Sequence, residues 1–563
     1  MLANSPFAGS SLAVLVLVGC ALLSWPLGRW LRAAMDPQTA SGPLARCDAW
    51  FRRLGGGATA GEHGWRRYCV QLLVFNVVMF TVGVLLLALQ PGLPLNPDGK
   101  GALEWSLVFH TGASFTTNTN LQHYSGEVAM SHGSQLWALM WQQFVSAATG
   151  LAALTALARG LAGRPLGNFF VDVQRATFLV LLPLSLLVAC LLVLGGMPMT
   201  LDGAVQATTL EGAVQTIARG PVAAFVAIKQ LGTNGGGFFG PNSTHPFENP
   251  SFATNVVTTM ALIVLPMACV WLFGRIVGNR RHAVVLFAAM SVLLLAKLGV
   301  AMACESAPTP AFAGLPVAGD VGNLEGKELR FGPGAAPLWA VLTTCTSNGS
   351  VNCMHDSLNP LTGLVPMVGM WLNETFGGVG VGMINLFVYL VLAVFVAGMM
   401  VGRTPEYLSR RVEVHEVKLA VLAMFAHALC ILGGTALFAA TSWGIGTPND
   451  PGAHGFSEIL YEFTSAAANN GSGFEGLGDN TVPWNVATGL VMLLARFVPI
   501  VLPLAIAGAL AGKRTTAASA GTLAVDTPTF GVMVLATIVF LGALTFLPAA
   551  ALGPIAEHLQ TVR

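Results

Sequence analysis

The chain of 563 residues is 54% hydrophobic and only 9% charged, with a mean hydropathy of +0.68 and a net charge of +1. Soluble globular proteins carry about 25% charged residues, so this composition excludes an ordinary soluble domain, and the balanced charge gives no indication of a nucleic-acid partner. Apolar runs of about 20 residues, each long enough to cross the apolar core of a bilayer, recur along the chain. They predict an all-α polytopic membrane protein.

Ten of these runs are predicted transmembrane helices. In chain order they lie at residues 11–32, 70–90, 137–158, 176–197, 255–276, 283–303, 380–401, 418–440, 486–510 and 529–551. Nineteen of the 27 Lys and Arg residues fall in one alternating set of loops and six in the other. Because cytoplasmic loops are enriched in Lys and Arg, this asymmetry predicts that both termini lie outside. The first apolar run has no basic region before it and is predicted to be a retained helix rather than a cleaved signal.

Four of the outer loops contain a short amphiphilic stretch followed by a polar cluster. The clusters are SFTTNTNLQHYSGE from Ser114, LGTNGGGFF from Leu231, TCTSNGSVNC from Thr344 and AAANNGSGFEG from Ala466. Equivalent points recur at intervals of 115, 114 and 122 residues, which indicates an internal structural repeat. The sequence therefore predicts four helix–pore-loop–helix units around a central pore, with one extra helix at each end.

The boundaries of these units follow from the predicted helices. The four units are residues 68–161, 175–278, 282–402 and 417–512, with pore loops at 105–122, 221–240, 336–352 and 457–474; residues 1–67 precede them and 527–563 follow. Each pore loop begins with a predicted helix of about a dozen residues, which is too short to cross a membrane and is typical of a re-entrant segment. Irregular backbone is tolerated at that depth only where it is enclosed by protein or lines a watery cavity.

The four clusters offer neutral oxygen atoms and no charged side chain. The candidate ion-binding residues are Asn118, Thr119, Asn120, Thr233, Asn234, Gly235, Ser347, Asn348, Gly349, Asn469, Asn470 and Gly471. Neutral oxygens replace the hydration shell of a weakly hydrated monovalent cation, whereas divalent ions usually demand carboxylates. The ligand predicted from these residues is K⁺ or a close relative. A single cluster of this kind is more typical of an ordinary Gly/Asn surface turn, whereas four clusters at nearly equal spacing favour the pore-loop interpretation.

Three charged residues fall in apolar surroundings. Arg496 lies near the middle of its span, where a charge costs at least about 2.5–3.5 kcal/mol, so it should face the bundle interior or a cavity. It is interpreted as an electrostatic barrier below the loops, with a structural arginine bonded to helix-end carbonyls as the alternative. Lys297 is nearer the outer end of its span and is predicted to extend outward. Glu374 precedes FGGVGVG, whose glycines should break the helix; this break could form a gate or tunnel wall, or only loosen the packing.

Several longer motifs support a family resemblance. GTNGGGFF with HPFENP, TNTNLQHYSGE, MHDS at Met354, VGRTPEY at Val401, HGFSE at His454 and ANNGSGFEG resemble the potassium-binding A subunit of the bacterial Kdp potassium-transporting ATPase. The similarity runs nearly end to end and includes GALTFLPAAALGPIAEHL near the C-terminus. The family belongs to the superfamily of potassium transporters, which is built from four helix–pore-loop–helix units.

The resemblance implies a function and a set of partners. It implies a multi-pass protein of the bacterial inner membrane that selects K⁺ from outside and does not itself hydrolyse ATP. A catalytic P-type ATPase B subunit, a C subunit and a small F peptide would complete the complex, and K⁺ would reach the B subunit through an intramembrane tunnel. In the VGRTPEY segment, Arg403 and Glu406 would contact the ATPase partner or form a solvated helix cap.

The resemblance also assigns roles to individual residues. The family's selectivity filter corresponds to the twelve candidate residues, its affinity-determining glutamine to Gln122, and the arginine below its filter to Arg496. This chain departs from the family pattern at Asn348, where a cysteine is common, and at Thr116 and Leu121. The departures are compatible with backbone ligands and bear on fine selectivity.

Nothing in the sequence predicts a nucleotide site. The Asp-Lys-Thr-Gly phosphorylation motif of P-type ATPases is absent, and GALAGKRT from Gly508 has neither the glycine spacing nor the Ser or Thr of a phosphate-binding loop. The chain is therefore predicted to be a non-catalytic subunit that draws its energy from a partner. A stand-alone K⁺ channel or an ion-gradient-driven K⁺ symporter of the same fold is the alternative.

Overall fold

The structure is a computed structural model that describes residues 6–39, 42–307, 315–316, 322–402, 404–515 and 523–561. Arg403 of the VGRTPEY segment and the terminal Arg563 lie outside the described residues.

The described chain is almost entirely helical. In chain order the helices are α1 (Pro6–Met35), α2 (Pro43–Gly55), α3 (Trp65–Ala88), α4 (Trp105–Thr116), α5 (Gly126–Ala129), α6 (Trp141–Leu161), α7 (Phe169–Arg175), α8 (Leu182–Leu194), α9 (Val222–Leu231), α10 (Phe252–Val277), α11 (Arg280–Glu305), α12 (Ala335–Cys345), α13 (Pro360–Leu372), α14 (Val381–Val401), α15 (Val414–Ala439), α16 (Ala453–Ala468), α17 (Val482–Ala511), α18 (Pro528–Leu552) and α19 (Pro554–Thr561). Single π-helical turns extend α6 at Ser134–Met140 and join α7 to α8 at Ala176–Leu181.

Two small antiparallel hairpins are the only sheets in the described part of the chain. Strand β1 (Val205–Thr208) pairs with β2 (Val214–Ile217), and β3 (Glu406–Tyr407) pairs with β4 (Arg410–Arg411). Both hairpins lie in connections between long helices.

Ten helical spans in the described residues are long and apolar enough to cross a membrane. They are formed by α1, α3, α6 with its π-helical extension, α7 with α8, α10, α11, α14, α15, α17 and α18. All ten predicted spans are thereby confirmed, and the chain is an all-α multi-pass membrane protein. Large apolar side chains such as Leu22, Val77, Leu186 and Phe540 are exposed on these spans, which suits lipid rather than water.

The spans differ in how deeply they are buried. In the most apolar window of the span Ser134–Leu161, 94% of the residues are buried, against 22% for Val414–Ala439. Helix α6 is rich in Ala, Gly and Ser, and these small side chains allow neighbouring backbones to approach closely. Gly150 and Gly160, for example, lie directly against α14 and α17. The span containing α6 therefore lies at the centre of the helix array, and the span containing α15 lies at its periphery.

Four short helices, α4, α9, α12 and α16, lie in alternate connections between the long spans. Helices α4, α9 and α12 begin within one residue of the starts given above for the pore loops, whereas α16 begins at Ala453 rather than at residue 457. Gly452, with φ 79°, precedes this earlier start. The four short helices all end within the first three residues of the polar clusters.

Helix α13 was not predicted. It follows the third polar cluster and ends at Asn373, whose φ of 48° is left-handed. The chain stays irregular until α14 begins at Val381, so the predicted helix break around the FGGVGVG glycines is confirmed. We call residues 373–380 the α13–α14 break.

The prediction for Lys297 was wrong. Its side chain does not extend outward; it is 9% exposed, and its Nζ donates a hydrogen bond to Thr375 Oγ1 at 2.9 Å. A buried polar side chain needs a partner, and the irregular backbone of the α13–α14 break brings Thr375 within reach.

Candidate functional site

The four polar clusters meet in one closed ring. We call residues 118–120, 233–235, 347–349 and 469–471 the ring, and number its four segments 1 to 4 in chain order. Hydrogen bonds join each segment, or the end of its short helix, to the next: Asn118 Nδ2 to Thr233 O (2.8 Å), Ser350 Oγ to Gln230 Oε1 (3.0 Å), Asn470 Nδ2 to Thr343 O (2.9 Å) and Asn469 Nδ2 to Thr119 Oγ1 (3.0 Å). The last bond joins segment 4 to segment 1 and closes the ring.

All four segments have the same backbone conformation. The first and third residues have positive φ angles: Asn118 66°, Asn120 56°, Thr233 50°, Gly235 82°, Ser347 47°, Gly349 90°, Asn469 52° and Gly471 105°. The middle residues do not have positive φ. Alternation of left- and right-handed residues turns successive amide groups toward one side of the chain and successive carbonyl groups toward the other.

The amide groups of the ring point back to the short helices. The four middle residues donate in the same way: Thr119 N to Ser114 O (2.9 Å), Asn234 N to Lys229 O (2.9 Å), Asn348 N to Thr343 O (2.9 Å) and Asn470 N to Ser465 O (3.0 Å). Within the described residues, no group donates a hydrogen bond to the carbonyl oxygens of these four middle residues. All four residues are fully buried. Since buried carbonyls are nearly always paired, four equivalent unpaired ones are available to a ligand.

Glycine is required at the third position of three segments. A methyl group at Gly235 would overlap the carbonyl oxygen of Asn348, and one at Gly349 would overlap that of Asn470. One at Gly471 would overlap the carbonyl oxygen of Thr119 in the same way. The segments therefore pack backbone against backbone, at a φ that also favours glycine.

The short helices add a favourable potential for cations. Helices α4, α9, α12 and α16 end one or two residues before the ring, so their C-termini point toward it. A helix C-terminus carries roughly half a negative charge from its unpaired carbonyls. Four such ends favour a cation without placing a carboxylate in the ring.

The side chain of Asn348 does not face the ring interior. Its Nδ2 donates to Lys229 O and Gln230 O at 3.3 Å, and its Oδ1 accepts from Ser350 N at 3.0 Å. What this residue offers within the ring is its backbone carbonyl. Its side chain instead helps to hold segment 3 against α9.

A cavity of about 290 Å³ lies on one side of the ring, and we call it the outer cavity because the predicted orientation places this side outside. Gly349 and Gly471 line it together with Gln122 and His123. Gln122 is not free: its Nε2 donates to Gly237 O at 3.0 Å, and its Oε1 accepts from Gly237 N at 2.7 Å. This residue therefore ties segment 1 to the chain that follows segment 2.

His123 lies between two acidic residues beside the outer cavity. Its Nε2 is 3.0 Å from Glu462 Oε1 and 3.8 Å from Asp479 Oδ2. Burial alone would lower the pKa of His123, but the charge of Asp479 and the hydrogen bond to Glu462 raise it to about 9. The two acidic partners therefore favour the protonated imidazole.

A cavity of about 60 Å³, which we call the inner cavity, lies on the other side of the ring. The first residue of every ring segment lines it, together with Arg496, and it extends between α13, α15 and α18 to His427 and Phe546. Arg496 is 5% exposed, and its Nη2 lies 3.4 Å from Ser146 O. No carboxylate in the part of the chain that the structure describes forms an ion pair with it. Its charge therefore faces the cavity without a counter-ion.

The α13–α14 break lies directly beneath the ring. Asn373 accepts a hydrogen bond from Ser347 Oγ at 2.6 Å and donates one to Ala468 O at 3.1 Å. Val379 N donates to Thr233 Oγ1 at 3.0 Å. The break thus contacts segments 2 and 3 and the end of the short helix before segment 4.

A buried ion pair that was not predicted from the sequence supports segment 2 from behind. Lys229, on α9, is fully buried and forms an ion pair with Glu248, and its Nζ also donates to Asn242 Oδ1 at 2.6 Å. Asn242 Nδ2 in turn donates to Gly235 O at 2.8 Å. A lone lysine in the apolar helix VAAFVAIKQL, followed by the lone acid of HPFENP, was the signal that could have revealed this pair.

Comparisons with known proteins agree with this architecture. Residues 14–559 match the family model described as the potassium-transporting ATPase A subunit. A potassium-transporting ATPase potassium-binding subunit of Geobacillus kaustophilus is 47% identical over 563 residues, covering 99% of both chains. Proteins of the same name from Rhodospirillum centenum and Parabacteroides distasonis are 48% and 44% identical, over 98% and 99% of this chain and 97% and 99% of their own. The chain belongs to the family of potassium-transporting ATPase A subunits.

Proposed function

We propose that this chain is the K⁺-selecting subunit of an ATP-driven potassium importer in the bacterial inner membrane, with both termini outside. K⁺ would enter from the outer cavity and lose its water in the ring. It would then pass from the inner cavity to a catalytic P-type ATPase B subunit, in a complex completed by a C subunit and an F peptide. The relatives' name, potassium-binding subunit, supports K⁺ as the transported ion.

One observation carries the proposal: four chemically similar loops share one alternation of φ and leave four equivalent buried carbonyls unpaired. A ring of neutral carbonyl oxygens binds K⁺ in place of its hydration shell. Asn118, Thr119, Asn120 and their counterparts in the other segments would bind the ion through backbone oxygens. Gln122 would influence affinity indirectly, by fixing the outer edge of the ring.

The inner cavity supports a sideways exit. Arg496 lies in this cavity without a counter-ion, so its charge opposes straight passage of a cation. The cavity also extends laterally between α13, α15 and α18. A barrier below and space to the side suit delivery to a neighbouring subunit better than a stand-alone channel.

Uptake measurements test the ring. We would express the chain with its partner subunits in cells lacking other K⁺ importers and compare wild type with Gly235→Asp and Gly235→Ala at equal membrane levels. The new side chain overlaps Asn348 O, so we expect the apparent K⁺ affinity to fall at least tenfold and discrimination against Na⁺ to weaken.

Gly212→Ala is the matched control. Gly212 also has a positive φ, 85°, but a methyl group there meets nothing within 4 Å, so this variant should transport like wild type. Unchanged affinity and selectivity in both Gly235 variants would show that segment 2 is only a turn. Uptake by the chain without partners or ATP would instead favour the channel or symporter alternative.

A further inference from the structure

A second cluster of ionisable groups lies away from the ring. One ligand atom from each of Asp356, Asp450, His454 and Glu458 falls within 4.8 Å of the others. Asp356 belongs to the MHDS motif, and His454 and Glu458 belong to HGFSE. The proposed transport path uses neither motif, so their chemistry is unassigned.

Two chain segments bring these groups together. Asp356 lies between segment 3 of the ring and α13, and Asp450 lies just before α16. His454 and Glu458 are four residues apart on α16, a spacing that places both side chains on one helix face. The four groups therefore converge at the start of the fourth short helix.

One carboxylate oxygen of Glu458 has no hydrogen-bond partner in the described part of the chain. Its side chain is fully buried, and its Oε2 accepts from Asn449 N at 3.0 Å. Its Oε1 is buried and has no hydrogen-bond partner in the described part of the chain.

A glycine leaves space beside this oxygen. A methyl group at Gly476 would lie 2.7 Å from Glu458 Oε1 and 3.1 Å from Asp356 Oδ2. The φ of Gly476 is not in the left-handed region, so backbone conformation does not require glycine there. The residue therefore keeps the space next to both carboxylates open.

The imidazole of His454 is oriented in the way that metal-binding histidines are. Its Nδ1 is 2.9 Å from Glu557 Oε1, while its Nε2 is 2.9 Å from Asp356 Oδ1 and 4.0 Å from Asp450 Oδ2. Histidine ligands usually donate their second ring nitrogen to a carboxylate, which fixes the ring and its tautomer. Glu557, on α19, would serve in that outer role.

We propose that Asp356, Asp450, His454 and Glu458 form a binding site for a divalent transition-metal ion, with Zn²⁺ as its representative. An imidazole among carboxylates suits Zn²⁺ and its neighbours better than Ca²⁺ or Mg²⁺, which prefer oxygen ligands alone. Tetrahedral ligands about 2.1 Å from Zn²⁺ lie roughly 3.4 Å apart. His454 Nε2 and Asp356 Oδ1, now 2.9 Å apart, would separate slightly on binding, and the more distant ligand atoms would move closer together. The ion would tie the loop after segment 3 and α16 together, with α19 attached through Glu557.

Zinc binding by the purified chain tests this proposal. After treatment with a chelator, we would titrate the detergent-purified chain with Zn²⁺ against a chromophoric competitor. We expect one site per chain. His454→Gln, Glu458→Gln and Gly476→Ala should each weaken binding at least tenfold, and Glu557→Gln should weaken it by about 10- to 100-fold. His415→Gln removes an exposed imidazole elsewhere and should leave the affinity unchanged.

X-ray absorption at the zinc edge gives a second test that uses only the wild-type chain, so it does not depend on whether the variants fold. It should report one nitrogen and three oxygen ligands near 2.0–2.2 Å. The proposal is overturned if the wild-type chain binds no stoichiometric Zn²⁺, or if His454→Gln binds it equally well. His454 would then be a protonated imidazole held between Asp356 and Glu557. That arrangement agrees with its pKa, which burial alone would lower but which hydrogen bonds to these two carboxylates raise to about 10.

Discussion

Thr233 and Ser347 show how single residues maintain the ring. Both have positive φ, which costs a non-glycine residue of the order of 1–3 kcal/mol. Their hydroxyl groups explain why glycine does not replace them, because Thr233 Oγ1 accepts from Val379 N and Ser347 Oγ donates to Asn373. Backbone strain at these positions is offset by bonds to the α13–α14 break.

The buried pair behind segment 2 gives a prediction for stability. Lys229→Met removes one member of the pair and leaves Glu248 buried and unpaired, so we expect a loss of about 3–5 kcal/mol in stability. The double variant Lys229→Met/Glu248→Gln should recover most of this loss. Thermal unfolding of the purified variants measures both effects. Equal losses in the single and double variants would contradict a mutually dependent pair.

Arg496 gives a prediction for leakage. Two unit charges about 10 Å apart repel by about 1.7 kcal/mol at an effective dielectric constant of 20, which is worth more than tenfold in a rate. Arg496→Gln should therefore raise passive K⁺ flux, measured without ATP in liposomes containing the whole complex, by at least about tenfold. Arg496→Lys keeps the positive charge, so its passive K⁺ flux should stay as low as that of wild type. If the Arg496→Gln complex shows no increase in passive K⁺ flux, the role of this arginine is structural.

At the scale of elements, the sequence predicted those helices whose position depends on local composition. The ten spans follow from uninterrupted apolar runs, and the four short helices follow from apolar stretches that end in Asn and Gly. Helix α13 has only 13 residues and contains Pro366, so neither its length nor its composition marked it as part of a span. Lys297 was wrongly predicted because its partner, Thr375, lies on the α13–α14 break of another span, and no local pattern shows such a contact.

The α13–α14 break gives a prediction at this scale. Gly378 has φ 89°, and a methyl group there would lie 2.9 Å from Thr346 O and 3.2 Å from Thr233 Oγ1. We expect Gly378→Ala to displace the break from beneath the ring and lower the maximal rate of K⁺ uptake severalfold. The apparent affinity should change less, because the ring carbonyls lie above this contact.

Gly299→Ala is the control for that variant. Gly299 lies within α11, where a methyl group meets nothing within 4 Å, so the change should be neutral or slightly stabilising. A normal maximal rate of K⁺ uptake by the Gly378→Ala complex would show that the α13–α14 break is only a site of loose helix packing. The sequence analysis left that alternative open.

At the scale of the whole molecule, the ring joins four segments that are far apart in the chain. The sequence could predict the twelve ring residues from their recurrence. It could not predict which segments touch, nor that Gln122 and the Asn348 side chain serve the scaffold, because those facts depend on tertiary contacts. The hydrogen bond from Asn469 to Thr119 spans 350 residues.

This architecture gives a further prediction. An ion bound by all four segments binds only the folded state, so K⁺ should stabilise the protein by about 2.7 kcal/mol at 100 times its dissociation constant. We expect the unfolding midpoint of the purified complex to rise with K⁺ and to rise much less with Na⁺ at equal ionic strength. Gly235→Asp should abolish the difference. Identical midpoints in the two salts for wild type would contradict selective binding at the ring.

The closure of the ring by its last segment also has a consequence for biosynthesis. Segment 1 leaves the ribosome long before Asn469, so a partly made chain has no complete ring through which ions could pass. Arg496 lies on α17, the helix that follows segment 4, and is synthesised shortly after it. If the ring selects K⁺ as proposed, a nascent or truncated chain would lack a complete selective path, because the ring and Arg496 are both completed near the end of synthesis.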